Sequence, residues 1–286
     1  MEINEVDVGT PSGSAQSCVA SSFTGDEKIL KPKKWWQGYI DDCGPEEPSY
    51  FAETMARTIP ISPSRTRLLD LGCGSGIIGS FCLMEKQASS VTFTDLMPEW
   101  IGLARFNVEK QIARGRIFRS RVAFTEAVSF DMLPAELIAR HDLICFNAPQ
   151  LPTDCLTQEA LESIRTNDIE RTFRIGDFPD NPDGLRVARE FIAWHDGLLC
   201  PSPDAVMVLS SFLGPSNIAR MLDAEHAKWE IIHATRTPLR DFFWPYVMRL
   251  SEADRHERRL ERTASGWSKE LFTVRIAGKK RQNRRL

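Results

Sequence analysis

The stretch Arg67–Gly79, RLLDLGCGSGIIG, restricts the fold more than any other part of the sequence. An apolar run (Leu68, Leu69, Leu71) ends in a glycine-rich turn and continues into an apolar, helix-permissive segment. That is the strand–turn–helix context a nucleotide-cradling loop needs. Gly72, Gly74 and Gly76 remove Cβ atoms where the backbone must bend sharply and where a ligand must lie against it. A helix opening after Gly76 offers unpaired N–H groups. Nineteen residues beyond Gly76, the run Val91–Thr94 ends at Asp95. An acid at the tip of a second strand is where a ribose hydroxyl pair is held in two-strand nucleotide sites.

The spacing G-x-G-x-G differs from the dinucleotide fingerprint G-x-G-x-x-G, and Asp70 precedes it within the strand. Strand acid, loop and second-strand acid together resemble the class I S-adenosylmethionine-dependent methyltransferases, whose first motif reads like LDLGCGSG. The resemblance covers roughly residues 48–278. It implies S-adenosylmethionine as cofactor, held by Asp70, Gly72, Gly74, Gly76, Asp95 and the adjoining Leu96. Asp70 would anchor the amino end of the ligand through the loop or a water; the alternative is a buried, hydrogen-bonded strand acid.

The periodicity along the chain agrees with that family. Strands are expected at 66–71, 90–95, 117–124, 142–147, 204–211, 228–236 and 270–278, and helices at 76–87, 97–110 and 185–199 among others. Such alternation predicts an α/β fold, a Rossmann-like sandwich whose seven-stranded, mostly parallel sheet carries helices on both faces, with the last pair of strands antiparallel. Residues 1–27, rich in Ser, Gly, Asp and Glu, read as a disordered tail. Residues 28–59 form a helical N-terminal extension carrying Trp35, Trp36, Tyr39, Tyr50 and Phe51, either packed on the core or closing as a lid over ligand. The ligand-binding domain spans 60–278, and 279–286 is a basic tail.

A net charge of −3 gives no global reason to expect a nucleic-acid partner. The basic clusters at 255–262 and 279–285 read as a solvated helix face and a frayed terminus. Seven scattered cysteines and five dispersed histidines form neither a metal site nor a disulfide framework. No apolar run reaches the length of a membrane span and no signal pattern opens the chain, so a cytoplasmic protein without a membrane partner is expected.

The second informative motif is Asn147-Ala148-Pro149-Gln150, at the end of the fourth expected strand. Ligands of open α/β sheets sit outside the carboxyl ends of the strands, so this tip should face the same crevice as Gly74 and Asp95. It resembles the Asn-Pro-Pro-Tyr motif of amino-methyltransferases. The context DLICFNAPQLP, with the later PDGLRVAREFI, is similar to the glutamine methyltransferases of release factors. In those enzymes the Asn carbonyl and the following backbone carbonyl accept hydrogen bonds from the target NH₂, and the aromatic in fourth place stacks on the group that bears it. Here Ala148 replaces the first proline, and Gln150, expected to face substrate, replaces the aromatic, which removes that stacking partner. The third-strand acid of the family would align with Ala123, so Phe124 is expected to stack on adenine, or else to be plain core. Ser210 and Ser211 stand at the expected tip of the fifth strand. Trp244 and Tyr246 lie in an insertion, 237–267, suited to a substrate pocket, core packing or a homodimer contact.

These readings point to methyl transfer onto a nitrogen of a small molecule or side chain, with Asn147 orienting the amine. A second reading keeps the ligand and changes the reaction. Azetidine-2-carboxylate synthases, biosynthetic relatives with a helical lid, cyclise S-adenosylmethionine itself and release methylthioadenosine; Asn147 and Ser211 would then hold the amine, and the aromatic extension the sulfonium. A third is a non-catalytic S-adenosylmethionine-binding protein.

Overall fold

A computed structural model describes residues 50–126, 129–150, 152, 182–199, 201–224 and 228–280. The expected tail 1–27, the lid residues Trp35, Trp36 and Tyr39, and most of the basic tail lie outside these. The strands are β1 (Arg67–Leu71), β2 (Ser90–Asp95), β3 (Val122–Glu126), β4 (Leu143–Phe146), β5 (Asp204–Ser210), β6 (Trp229–Pro238), β7 (Glu261–Thr263) and β8 (Gly266–Ile276). They form one sheet in the order β3-β2-β1-β4-β5-β8-β6, with β7 paired to β8 alone. The pairs among β1 to β5 are parallel, and β8 runs antiparallel to β5, β6 and β7. This is the Rossmann-like methyltransferase arrangement, with the reversed strand inserted between β5 and β6.

The central strands are buried on both faces, which is why β4 reads LICF without alternation. One face is covered by α1 (Tyr50–Thr58), α2 (Ile77–Met84) and α3 (Pro98–Ala113), whose core includes Met55, Ile78, Phe93, Val108, Val208 and Leu271. The other is covered by α4 (Ala135–Ala139), α5 (Arg186–Gly197) and α6 (Pro215–Ala224), around Phe146, Phe191, Met207 and Phe272. The described part of the N-terminal extension is thus fixed packing. Met55 and Ile59 are buried beneath it, and Thr58 Oγ1 lies 2.7 Å from Thr273 Oγ1 on β8.

Three departures from the expected elements bear on function. β3 starts at Val122 rather than 117, because Phe118–Arg121 closes a 3₁₀ turn (Arg121 N donating to Phe118 O, 2.9 Å) and leaves Phe118 65% exposed. β3 consequently runs on to Glu126, in register with Asp95. The sheet has eight strands rather than seven, because β7 and β8 form a hairpin across Ala264–Ser265. Its Gly266 has φ +128°, and a Cβ there would stand 2.1 Å from the Trp244 ring. Finally, the insertion folds as α7 (Trp244–Arg249) and α8 (Glu252–Glu257) over its own apolar cluster of Phe212, Leu239, Phe243, Val247 and Leu260, with Tyr246 and Trp267 packed against it. Among the described residues no helix is long and apolar enough to cross a membrane.

Candidate active site

β1 ends at Leu71, and the chain turns through three left-handed glycines, Gly72 (φ +63°), Gly74 (φ +53°) and Gly76 (φ +76°), before α2 begins. Side chains at two of them would be crowded as well as strained: a Cβ on Gly72 would meet the Phe146 ring at 3.2 Å, and one on Gly76 would meet Ala104 Cβ at 3.1 Å. At Gly74 nothing lies within 4 Å of that position. The loop is therefore shaped from behind by the fold and open in front, a backbone cradle against which a nucleotide-bearing ligand can lie.

The loop is held from its neighbours. Asp95 Oδ2 accepts from Gly74 N (2.9 Å) and its Oδ1 from Met97 N (3.1 Å). Cys73 N donates to Thr94 O (3.0 Å), and Asn107 of α3 donates from Nδ2 to Ser75 O (2.9 Å). Burial raises the pKa of Asp95, and the N–H donors of Gly74 and Met97 act the other way. Each carboxylate oxygen keeps a further lone pair for a ribose hydroxyl. Leu96, beside it, is 51% exposed, an apolar surface at the crevice. Glu126, in register with Asp95, adds an exposed carboxylate at the β3 tip. The expected alignment of the third-strand acid with Ala123 missed it, because the 3₁₀ turn before β3 moves the tip along the chain.

Asp70 is a buried strand acid. It is 1% exposed, with Oδ2 accepting from Gly79 N (2.9 Å) and Oδ1 from the Cys145 thiol (3.3 Å). Burial pushes its pKa up to about 7 against those hydrogen bonds. Asp70 ties the first turn of α2 to β1 and β4, and so positions the loop from beneath. Phe124 stacks on Phe93 (centroids 5.3 Å) with the Arg105 guanidinium 4.7 Å from its ring centre, neighbours that belong to the α3 face.

Asn147 follows β4 directly. Its Oδ1 is buried and accepts no hydrogen bond among the described residues, an uncommon state for an amide oxygen. Ala148 is buried, and Gln150 turns inward. The Gln150 Nε2 donates to Ala148 O (3.3 Å) and to Val208 O, while its Oε1 accepts from Ser210 N (3.0 Å). The reason lies in strand length. β4 stops opposite Met207, so the backbone of residues 208–210 has no parallel partner, and the Gln150 amide supplies both a donor and an acceptor there. Gln150 was expected to face substrate; its amide is spent on β5 instead. The PDG turn also reaches this site: a Cβ on Gly184 (φ +74°) would lie 3.0 Å from Pro152 N.

Ser211, expected to hold an amine, is fully buried, and its Oγ accepts from Glu270 N (3.0 Å). Ser210 Oγ caps Phe212 N (3.2 Å). Both serines close the junction of β5 with β8. Trp244 and Tyr246 pack within the insertion, Trp244 donating from Nε1 to Leu239 O (3.3 Å).

Residues 50–134, which contain the loop, Asp95 and Glu126, match the family model of the methyltransferase small domain. The match spans the part of the chain that carries the glycine loop, and it agrees with the sheet order and the loop geometry. No curated protein matches the sequence. Among solved structures, the chain is similar to the precorrin-6y C5,15-methyltransferase of Geobacter metallireducens GS-15 (12% identity over 80% of this chain and 87% of that one, TM-score 0.41). It is also similar to the ribosomal protein L11 methylase of Lactobacillus delbrueckii subsp. bulgaricus (14% identity, 80% and 77%, TM-score 0.41). A third is the E. cuniculi Mtq2–Trm112 complex, responsible for methylating the termination factor eRF1 (14% identity, 82% and 98%, TM-score 0.41).

Proposed function

We propose that this enzyme methylates a nitrogen of a small molecule or side chain presented at Asn147. The observation that carries the reading is the buried Asn147 Oδ1 with no donor. Leaving such an oxygen unsatisfied costs about 1–3 kcal/mol, which an incoming N–H group removes. An amine held by Asn147 Oδ1 and the Ala148 carbonyl has two N–H directions fixed, so its lone pair is aimed at a methyl lying over the glycine loop. Alignment of that kind is the main contribution a protein can make to a direct displacement.

On this reading the loop from Gly72 to Gly76 bears the amino-acid part of the cofactor, Asp95 takes the ribose hydroxyls, Leu96 covers the adenine, and Glu126 accepts from its amine. The bound cofactor supplies an activated methyl on a positively charged sulfur, so the site needs no strong base. Asn147 accepts hydrogen bonds and takes no proton.

Cyclisation of S-adenosylmethionine stays a second reading on one observation: with Gln150 turned onto β5, the fourth motif position offers no face for a second substrate to stack on. Incubating the pure protein with S-adenosylmethionine alone and weighing the products by mass spectrometry separates the two. S-adenosylhomocysteine formed only with added amine or amide acceptors supports methyl transfer. Methylthioadenosine formed without any acceptor overturns it in favour of cyclisation.

A further inference from the structure

The antiparallel end of the sheet holds a lysine that neither the cofactor site nor the fold uses. Lys269 of β8 is 7% exposed, and its ammonium lies 4.5 Å from the centre of the Phe51 ring on α1. In the antiparallel ladder Lys269 pairs with Thr237 of β6, so the two side chains share one face of the sheet. Thr237 is fully buried and its Oγ1 has no hydrogen-bond partner among the described residues. One turn along α1 from Phe51, the buried Thr54 Oγ1 is unpartnered too. A buried polar group normally finds a partner, and a buried cation normally finds a carboxylate.

No carboxylate faces the ammonium among the described residues. On α1, Glu53 is paired with Arg57 at 2.9 Å. On β8 itself, Glu270 is a neighbour in sequence and so projects from the opposite face, where Arg236 and Arg259 hold it (3.2 and 2.7 Å). After β6, Asp241 is exposed, and the charge that acts on Lys269 is the like charge of Arg240. Burial and Arg240 together push the Lys269 pKa down to about 7. A cation, a spare hydroxyl and an aromatic ring without an acid form half of an anion site.

Position connects this half-site to the reaction. Ser210, the last residue of β5, pairs with Leu271, and Lys269 stands two residues further out, at the carboxyl edge where α/β sheets receive ligands. β5 in turn passes β4's last partner, Met207, by three residues. At about 3.3 Å per residue and about 4.8 Å per strand, Lys269 lies on the order of 15 Å from Asn147.

We propose that Lys269, with Thr237 and the Phe51 ring, receives a carboxylate or similar anionic group at the far end of the methyl acceptor. The inference rests on the methyl-transfer reading and extends it: the acceptor is elongated, a nitrogen at one end and an anion at the other. The anion supplies the counter-charge, and the ring covers the apolar part of the ligand next to it. Binding takes up a proton wherever Lys269 is neutral beforehand. Affinity for the anion is therefore greatest below about pH 7 and falls as pH rises above it.

Benzoate, with benzamide as its uncharged counterpart, probes the headgroup site by calorimetry on the full chain, alongside S-adenosylmethionine in the same preparation. Benzoate should bind at pH 6.5, weaken at least tenfold by pH 8.5, and outbind benzamide. Lys269→Met should abolish benzoate binding and Thr237→Val weaken it several-fold, with S-adenosylmethionine affinity unchanged in both. Should Lys269→Met not fold, the unmutated protein still decides: trinitrobenzenesulfonate, which attacks neutral amines, should label Lys269 at pH 7.5, and benzoate but not chloride should slow that labelling. Equal binding of benzoate and benzamide, no benzoate binding beside normal S-adenosylmethionine binding, or an unreactive Lys269 overturns the inference. Loss of S-adenosylmethionine binding in the unmutated protein overturns the functional reading instead.

Discussion

The parallel half of the sheet buries Asp70 near its carboxyl edge and the antiparallel half buries Lys269, and the two are treated in opposite ways. Asp70, in the parallel half, has an N–H donor from Gly79 and a thiol donor from Cys145 on its two oxygens. Lys269, in the antiparallel half, lies against the face of Phe51, with no carboxylate beside it among the described residues. The first is a finished internal joint, which makes the glycine loop rigid from below. The second is an unfinished one, and unfinished polar burial is what a site completed by its ligand looks like. On the proposed reading, the parallel half holds the cofactor on a preformed loop, whereas the antiparallel half chooses the acceptor.

The sharpest way to break that contrast is through pH. Burial raises the Asp70 pKa to about 7, so between about pH 4 and 7 the folded state binds more protons than the unfolded one, and stability falls as pH rises. Asp70→Asn keeps an acceptor for Gly79 N and removes the titration. The difference in urea stability between the two proteins should change by an amount of the order of 4 kcal/mol across that window. Taking the difference cancels His141 and His195, whose pKa values are lowered by burial and act in the other direction. Lys269 has the opposite sign: its lowered pKa leaves the unfolded state with more protons above about pH 7, so stability rises from there towards pH 10. Lys269→Met should flatten only that upper limb. A variant pair in which each substitution alters both limbs would show the two groups coupled, and the halves would not be separate.

Within the parallel half, Asn147→Ala should lower the methylation rate by roughly a hundredfold or more while cofactor affinity holds, since it removes an orienting acceptor and leaves the loop intact. Single-turnover kinetics with saturating cofactor would show it. A near-normal rate would reduce Asn147 to a turn residue. Asp95→Ala should act on binding: hydrogen bonds to a charged group contribute about 1.5–3 kcal/mol, a tenfold to hundredfold loss of S-adenosylmethionine affinity by calorimetry. Part of that loss comes from freeing Gly74 N, so the apo loop should also exchange its amide hydrogens faster.

What was legible in the sequence follows the same division. The glycine loop, Asp95 and the Asn147 tip could be read because local rules specify them: left-handed backbone needs glycine, and a buried parallel strand reads as an unbroken apolar run. Where long-range contacts decide, reading failed. Gln150 was expected at the ligand, yet the early stop of β4 turns it onto β5. Ser211 has a sequence that suits a crevice and a place that suits the β5–β8 seam. Arg119–Arg121 carried strand-like neighbours into a 3₁₀ turn, which hid Glu126 at the true tip of β3. Lys269 gave no signal at all, because a charged residue in the first part of a strand is ordinarily solvated, and its burial against Phe51 of α1 is a long-range contact.

α1 touches both halves, through α2 on one side and β8 on the other, and it supplies the smallest test. Lys86, just after α2, donates from Nζ to Arg57 O (2.7 Å) and Ile59 O (2.6 Å), the carbonyls that α1 leaves open at its C-terminal end. A cation there also opposes the partial negative charge of the helix end, an effect of about 0.3–1 kcal/mol when exposed and up to about 2 when partly buried. Burial lowers the Lys86 pKa, so above its folded value the unfolded state binds more protons and the net cost of keeping this amine charged is relieved as pH rises. Lys86→Met should cost about 1 kcal/mol in chemical denaturation at neutral pH. If α1 is held mainly by Met55 and Ile59 in the core, S-adenosylmethionine affinity should be unchanged and benzoate binding at Lys269 only slightly weaker. Loss of benzoate binding with the global stability intact would instead mean that the cap sets where Phe51 sits, and that the acceptor end of the site is tuned from the cofactor half.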